Sequence, residues 1–418
     1  MTTTATPEEK AVVAPAATLS RQVRDYVDRV RGGELGALPA VIGLIVLCTV
    51  FAILSPVFLS PVNFANLFTQ GAGVTIIAMG LVFVLLLGEI DLSAGFASGV
   101  CAAVLAVLLT NEGWPWYAAV LAAMAVGVVI GLIIGWLVAK LGIPSFVVTL
   151  AAFLAFQGVG LILLDEGTNI SIRDSVILAV ANENMYPWLG WTLVVAGVLI
   201  YAGLQLLNNR RRSARGLVTD PLTLIAVRVG ALAVASGFAV WVLNLERSRN
   251  PGVISLTGVP VVVPIILVLL LVWTFVLHRT RFGRHIYAVG GNAEAARRAG
   301  INVDRIKISA FVICSFMASV GGIVAASRAN SVDPNTGGSN VLLFAVGAAV
   351  IGGTSLFGGK GRALDAILGG AVVAVVINGM GLMGYSSSVK YVVTGAVLLL
   401  AAGVDALSRK RASAVGRR

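Results

Sequence analysis

Apolar runs of about 20 residues recur along almost the whole chain, from residue 38 to residue 407. A hydrocarbon layer about 30 Å thick is crossed by a helix of roughly 20 apolar residues. The runs are continuously apolar, whereas the strands of a membrane barrel alternate. The sequence therefore predicts an all-α polytopic membrane protein. Its transmembrane helical bundle covers residues 38–407, between a polar N-terminal segment at 1–37 and a basic tail at 408–418.

The composition and the spacing of the runs predict about twelve membrane spans. Only 12% of the residues are charged and 58% are hydrophobic, whereas about a quarter of the residues of a soluble domain are charged. The chain therefore lacks the polar surface of a water-soluble protein. The predicted spans are residues 38–58, 68–88, 92–110, 116–139, 145–164, 187–206, 222–243, 260–278, 308–327, 341–357, 363–383 and 389–407.

The basic residues are distributed unevenly between the predicted loops. If the N-terminus lies inside, 24 of the 30 Lys and Arg residues fall in inner segments and five in outer ones, while Arg228 falls within a span. Membrane proteins carry such an excess on their cytoplasmic side. The sequence thus predicts that both termini are cytoplasmic. The net charge of +11 reflects this topology, and binding to nucleic acid is not indicated.

The longest internal loop, residues 279–307, contains the segment NAEAARRAG. Asn292 is a good N-cap residue, Glu294 and Arg297 suit the two ends of the helix dipole, and Gly300 suits a left-handed C-terminal residue. A helix this short is marginally stable alone. We therefore expect it to dock on another surface, and the alternative is a solvated loop that only orients its neighbours.

Three polar positions beside or within apolar runs are candidates for a substrate path. Glu89 and Asp91 lie in the segment GEIDLSAG next to long apolar runs, where ionisable groups are costly and often functional. Asp91 or Ser93 could instead cap the helix that follows. Asn378 lies inside a span, where its amide either bonds a neighbouring helix or lines a path.

The small residues predict close packing. Gly127, Gly131 and Gly135 are spaced by four on one helix face, and Gly95 and Gly99 repeat this spacing. Small residues let helix backbones approach each other in a membrane. We favour packing within the chain over a dimer interface.

The motifs of nucleotide hydrolysis and of metal catalysis are not found in the sequence. The segment IGGTSLFGGKGR lacks the spacing of a P-loop, since Thr354 stands where the first glycine is needed and Gly361 follows the lysine. It is predicted to form a tight turn between two spans. No cysteine–histidine metal spacing or nucleophile arrangement occurs, so enzymatic activity and a bound cofactor are not expected.

Three segments together resemble the permease family of ribose- and xylose-type ABC importers. They are RTRFGRHIYAVGGNAEAARRAGI, IGGTSLFGGKGR and the C-terminal INGMGLMG…SSSVKYVVTGAVLLLAAGVDAL, and the resemblance covers most of residues 40–410. GEIDLSAG resembles the family element Gly-Gly-x-Asp-Leu-Ser-x-Gly. Glu89 departs from that element, which leaves its role open, while Asp91 and Ser93 match.

The resemblance implies a set of partners. Two permease copies would pair, as a homodimer, to form one path through the lipid of a bacterial cell membrane. An extracytoplasmic sugar-binding protein would deliver the substrate, and a separate ATP-binding subunit would hold ATP and Mg. The NAEAARRAG segment would be the coupling helix that enters a cleft of that subunit. The residues implied in coupling are Asn292, Glu294, Ala295, Ala296, Arg297 and Gly300, and the substrate-path candidates are Asp91, Ser93 and Asn378.

The chain is longer than the ten-span ribose-type members. The sixth and seventh predicted spans, joined by RRRSARG, fit as an inserted pair, and NISIRDSVILAVANENM resembles the xylose-type permeases. D-xylose is therefore the favoured substrate. The alternative function is a proton-coupled secondary transporter that uses Asp91 or Glu89 and needs no coupling helix.

Overall fold

A computed structural model describes residues 36–165, 167–217 and 219–414, without the side chains of 398, 401–402, 404–405 and 407–414. The predicted N-terminal segment, apart from Gly36 and Ala37, and the last four residues of the tail lie outside the described residues. The helices are α1 (Leu38–Leu54), α2 (Pro61–Leu86), α3 (Ala94–Ala106, continued by a π-helical turn Val107–Asn111), α4 (Trp116–Lys140), α5 (Ser145–Leu163), α6 (Ser175–Asn182), α7 (Pro187–Ser213), α8 (Leu222–Leu243), α9 (Val262–Arg279), α10 (Arg281–Gly291), α11 (Ala293–Arg298), α12 (Val303–Ala329), α13 (Ser339–Gly352), α14 (Ala363–Leu382) and α15 (Ser387–Ala414), and the strands are β1 (Ile170–Ser171) and β2 (Ser331–Val332).

The protein is an all-α polytopic membrane protein. Within the described ranges, nine helices are long and apolar enough to cross a membrane, and α1 and α13 are shorter apolar helices. Each predicted span coincides with one helix, although some ends differ. Helix α2 begins at Pro61, seven residues earlier than predicted, because the Ser60 side chain caps the amide of Asn63. Helix α13 ends at Gly352, because Gly353 takes a left-handed φ of 116°.

The centre of the bundle consists of α2, α3, α12 and α14, whose side chains are mostly buried. Helix α12 packs along α4 and α2, and glycines permit this contact. A Cβ on Gly131 would lie 2.5 Å from the Cα of Val312, and one on Gly127 would lie 2.7 Å from the carbonyl oxygen of Ser315. The glycine face of α4 therefore packs within the chain, which confirms the favoured interpretation.

Helices α7 and α8 form a peripheral pair. They pack mainly against each other, and α8 also touches α2. The segment before α7 is joined to the segment after α8. The amide of Met185 donates to the carbonyl oxygen of Val259 at 2.8 Å, and Asn184 forms a β-bridge with Pro260. This pair corresponds to the sixth and seventh predicted spans.

One end of the bundle, which we call the basic end, gathers the basic segments. It comprises Lys140, residues 210–215, the segment 279–307 and the turn 353–362. Ion pairs and hydrogen bonds join these parts, such as Lys140 to Asp304 at 2.9 Å. The opposite end carries the β1–β2 ladder and α6, whose Ala181 amide donates to Ser327 of α12 at 3.0 Å.

Candidate functional site

Helix α11 at the basic end has the boundaries that the sequence predicts. The Asn292 side chain accepts a hydrogen bond of 2.9 Å from the amide of Ala295, and so caps the helix. Gly300 adopts a left-handed φ of 83°, and its amide donates to Arg297. The prediction of a short capped helix is confirmed.

Most of α11 is exposed. Ala296 is the buried residue of the helix, whereas Glu294, Ala295 and Arg297 face outward. Glu294 lies 3.5 Å from Arg297 and 3.4 Å from Arg298, and ion pairs as exposed as these contribute little to stability. The helix is thus anchored by one small side chain and presents a charged face.

Helix α10, which precedes α11, was not predicted from the sequence. Its first turn is capped by Thr280, whose hydroxyl accepts from the amide of Gly283 at 3.1 Å. The residues Gly283, Ile286 and Val289 are buried at a spacing of three. The threonine cap and this spacing are the signals that could have revealed the helix.

Helix α10 rests on the end of α2 and on the glycine-rich turn. A Cβ on Gly290 would overlap the carbonyl oxygen of Leu86, so only glycine fits this contact. The amide of Gly359 donates to the same oxygen at 2.8 Å, and the Tyr287 hydroxyl donates to Gly361 at 2.7 Å. Burial raises the pKa of Tyr287, which keeps the phenol a donor at neutral pH. The prediction that IGGTSLFGGKGR forms a tight turn is confirmed.

Charged side chains link α11 to the core through the first turns of α12. Asp304 accepts from Lys140 at 2.9 Å and lies 3.9 Å from Arg297 of α11. One turn further on, Lys307 donates to the carboxylate of Glu89 at 2.5 Å. Glu89, whose role the sequence left open, thus ties the α2–α3 turn to α12.

Asp91 and Ser93 lie together at the start of α3. Asp91 is 1% exposed and lies beside Cys314 of α12. Its carboxylate accepts from the amide of Ser93 at 2.9 Å and from its hydroxyl at 2.6 Å. These bonds form an Asx-type turn just before α3, whose N-cap residue Ser93 makes no side-chain cap bond of its own. The alternative of a proton-coupled carrier gains no support here, because Glu89 is ion-paired and Asp91 serves this turn.

Asn378 lies near the opposite end of the bundle, away from Asp91. Its amide group exchanges two hydrogen bonds with Asn63 of α2, at 2.9 and 2.8 Å, and donates to Gln70 at 3.1 Å. Asn378 therefore bonds a neighbouring helix, which was one of the two predicted possibilities. The structure does not bring the three path candidates to one place. Asn378 bonds Asn63 in the first turn of α2, whereas Asp91 and Ser93 follow the last residue of α2.

Comparison with known proteins places the chain in a family. Residues 63–402 match the family model described as the permease component of the branched-chain amino acid transport system. The xylose transport system permease protein XylH of Escherichia coli is 37% identical over 85% of this chain and 87% of its own length. XylH of Haemophilus influenzae is 32% identical over 85% and 91%. The ribose import permease protein RbsC of Escherichia coli is 31% identical over 88% and 92%.

No solved structure matches the chain. The sequence relatives and the family model describe the same class of protein, since all are permease components of transport systems. They also confirm the resemblance to ribose- and xylose-type permeases that the sequence motifs indicate. The chain therefore belongs to this family of membrane permease components.

Proposed function

We propose that the protein is the membrane-spanning permease subunit of an ABC importer that moves a monosaccharide inward. The favoured substrate is D-xylose or a related pentose, because the similarity to the xylose permeases exceeds that to the ribose permeases. ATP and Mg would bind a separate subunit, whose hydrolysis cycle drives alternating access.

The proposed topology places the basic end in the cytoplasm. The nine long apolar helices, the shorter α1 and α13, and α15 would all cross the bilayer, ten of them as the permease core and α7 and α8 as the inserted pair. An even number of spans then puts both termini inside, in agreement with the 24 to 5 distribution of basic residues. The opposite end would receive an extracytoplasmic sugar-binding protein.

The observation that carries the proposal is the exposed, capped helix α11, which contacts the core through buried Ala296 and the Arg297–Asp304 ion pair. We assign Glu294, Ala295 and Arg297 to contact with the ATP-binding subunit. Asn292 and Gly300 would hold the two ends of the helix. Ala296 is buried, and so it would anchor the helix to the permease.

Movement of α11 has a defined route into the bundle. Arg297 and Asp304 join it to α12, and Lys307 and Glu89 join α12 to the α2–α3 turn. Nucleotide binding can shift the bundle only by binding one of its conformations more tightly than the other. A displaced α11 would carry α12 with it and change the packing beside Asp91.

The path itself is proposed to form between two copies of the chain. Asp91, Ser93 and Asn378 remain the path candidates. In this proposal Asp91 and Ser93 would lie near the cytoplasmic mouth, and Asn378 near the outer one. Their burial in a single subunit means that subunit rearrangement must precede any contact with sugar.

The test is ATP turnover in proteoliposomes that contain the permease with its ATP-binding subunit and sugar-binding protein. Glu294→Lys reverses the charge of the exposed face of α11, and Gly300→Pro disrupts its C-terminal turn. We expect both variants to insert normally and to lose sugar-stimulated ATP turnover.

The matched control is Arg215→Glu, a charge reversal at the basic end that lies outside α11 and should leave turnover unchanged. Normal turnover in both α11 variants would contradict the coupling assignment. Sugar accumulation by the permease alone, without any ATP-binding partner, would overturn the proposed class of transporter.

A further inference from the structure

A cavity at the basic end lies between α7, α8 and α9 and has no part in the coupling route. Its volume is about 290 Å³. Two guanidinium groups line it, Arg212 at the end of α7 and Arg279 at the end of α9, together with the amides of Gln205 and Asn208. The cavity thus lies where the peripheral pair meets α9, a helix outside the pair.

The carboxylate in this cavity is already neutralised. Asp220 lies 3.1 Å from the guanidinium of Arg228. The Asn209 side chain bonds both the amide and the carbonyl of Asp220 at 2.9 Å, which fixes the loop between α7 and α8 against α7. Across the part of the chain that the structure describes, Arg212 and Arg279 have no ion pair. The cavity therefore has an excess of positive charge.

Exposed leucines stand close in sequence to the polar residues at the cavity. Leu204 and Leu207 on α7 and Leu222 at the start of α8 are 51–67% exposed. In a membrane these side chains face acyl chains. A ligand that places a phosphate beside the arginines and hydrocarbon along the leucines would fit both parts of the site, whereas a free anion would fit only the first.

We propose that this cavity binds the headgroup of an anionic phospholipid. Guanidinium groups are suited to phosphate oxygens, and the amides of Gln205 and Asn208 can hydrogen-bond glycerol hydroxyls. Basic pockets between helices on the cytoplasmic side are typical places for such headgroups. The bound lipid bridges Arg212 and Arg279, and so fastens α7 and α8 to α9 at an end where the protein itself provides few contacts.

Native mass spectrometry of the full-length permease, released from nanodiscs of phosphatidylglycerol and phosphatidylcholine, tests the site. The wild-type protein is expected to retain phosphatidylglycerol in preference to phosphatidylcholine. The double variant Arg212→Gln, Arg279→Gln is expected to retain it at least tenfold less, because both charge-assisted hydrogen bonds to the phosphate are lost.

The matched control is Arg210→Gln, Arg215→Gln, which removes the same charge from the same segment but from residues outside the cavity. Retention in this control should stay within about twofold of wild type, because neither residue lines the cavity and neither would hydrogen-bond the phosphate. An equal loss in both double variants would show diffuse surface attraction and overturn the site. Displacement of the lipid by inorganic phosphate at equal concentration would instead show a free-anion site, which also overturns the proposal. None of these readouts depends on sugar transport.

Discussion

The core of the bundle and the peripheral pair α7–α8 are equally apolar in sequence but are held in place differently. In the most apolar stretch of α2, 78% of the residues are buried inside the protein, whereas the value is 6% in α7. The core helices touch through glycines and backbone oxygens. The pair presents leucines and valines to the outside and is fastened mainly at its ends. High hydropathy thus indicates that a helix lies in the membrane. It does not show whether the helix is buried in the protein core or exposed at the periphery.

The largest expected difference between these regions follows from adding a side chain at a helix glycine. Gly131→Val in α4 places methyl groups where Val312 and Phe311 of α12 already lie within 2.6 Å of a Cβ. Overpacking of this kind costs about 3 kcal/mol or more where backbone must move. We expect loss of monodisperse protein in detergent and a large fall in the thermal unfolding temperature.

Gly197→Val in α7 is the control for this substitution. Apart from the neighbouring backbone of α7 itself, no atom of the described protein lies within 4 Å of a Cβ at this position. The same change should therefore leave the unfolding temperature close to that of wild type, or slightly higher, since glycine disfavours helix formation. Equal destabilisation at both positions would remove the distinction between core and pair.

A second, smaller difference concerns ion pairs in the two regions. Lys307 and Glu89 have side chains that are 25% and 17% exposed, whereas Arg228 and Asp220 are 40% and 26% exposed. A pair that is more removed from water interacts more strongly. We expect a coupling free energy of about 2 kcal/mol for Lys307 with Glu89, and less than about 1 kcal/mol for Arg228 with Asp220.

Double-mutant cycles measure both values from the free energy of unfolding in mixed micelles. The substitutions are Lys307→Met with Glu89→Gln, and Arg228→Met with Asp220→Asn. The Glu89→Gln variant should also lower sugar-stimulated ATP turnover, because it disconnects α12 from the α2–α3 turn. Coupling free energies of equal size in the two cycles would argue against a special role for Glu89.

Much of the fold could be predicted from the sequence, because long apolar runs and capped ends are local signals. The twelve runs, the cap at Asn292 and the left-handed Gly300 all depend on residues within a few positions of each other. The pairing of Asn378 with Asn63 could not be predicted, since these residues are 315 positions apart. Nor could the Lys307–Glu89 pair, 218 positions apart, which needed the packing of α12 against α2.

The sequence could not predict that Ala296 is buried against its own chain. A small residue on a short helix suits contact with a partner and contact with its own chain equally well. The spacing of Ala293, Ala296 and Gly300 is the same in both cases. Only the position of α11 against the rest of the protein shows that Ala296 faces inward.

The smallest expected effect is a shift in the titration of one carboxylate in the loop 244–261. This loop connects α8 to α9 at the end of the bundle opposite the basic end. The carboxylate of Glu246 accepts hydrogen bonds from the Ser255 hydroxyl at 2.6 Å and from the amides of Ser248 and Leu256 at 2.9 Å. These bonds, with that of Ser255 the largest cause, lower the pKa of Glu246 to about 2 from an ordinary value of 4.5. Since the folded pKa is depressed, the stabilisation is present above the ordinary value and is lost as the pH falls from 4.5 towards 2.

The carbon-13 shift of the Glu246 carboxyl, assigned by comparison with Glu246→Gln, measures this titration in micelles. Ser255→Ala removes the strongest of the donors and should raise the midpoint, while Ser236→Ala in the middle of α8 should not move it, because that hydroxyl bonds its own helix at Leu232. An ordinary midpoint in the wild-type protein would mean that the loop does not hold its bonds in solution. At this end the peripheral pair would then be fastened mainly by the Met185–Val259 bond and the Asn184–Pro260 bridge, and its contrast with the densely packed core would be sharper.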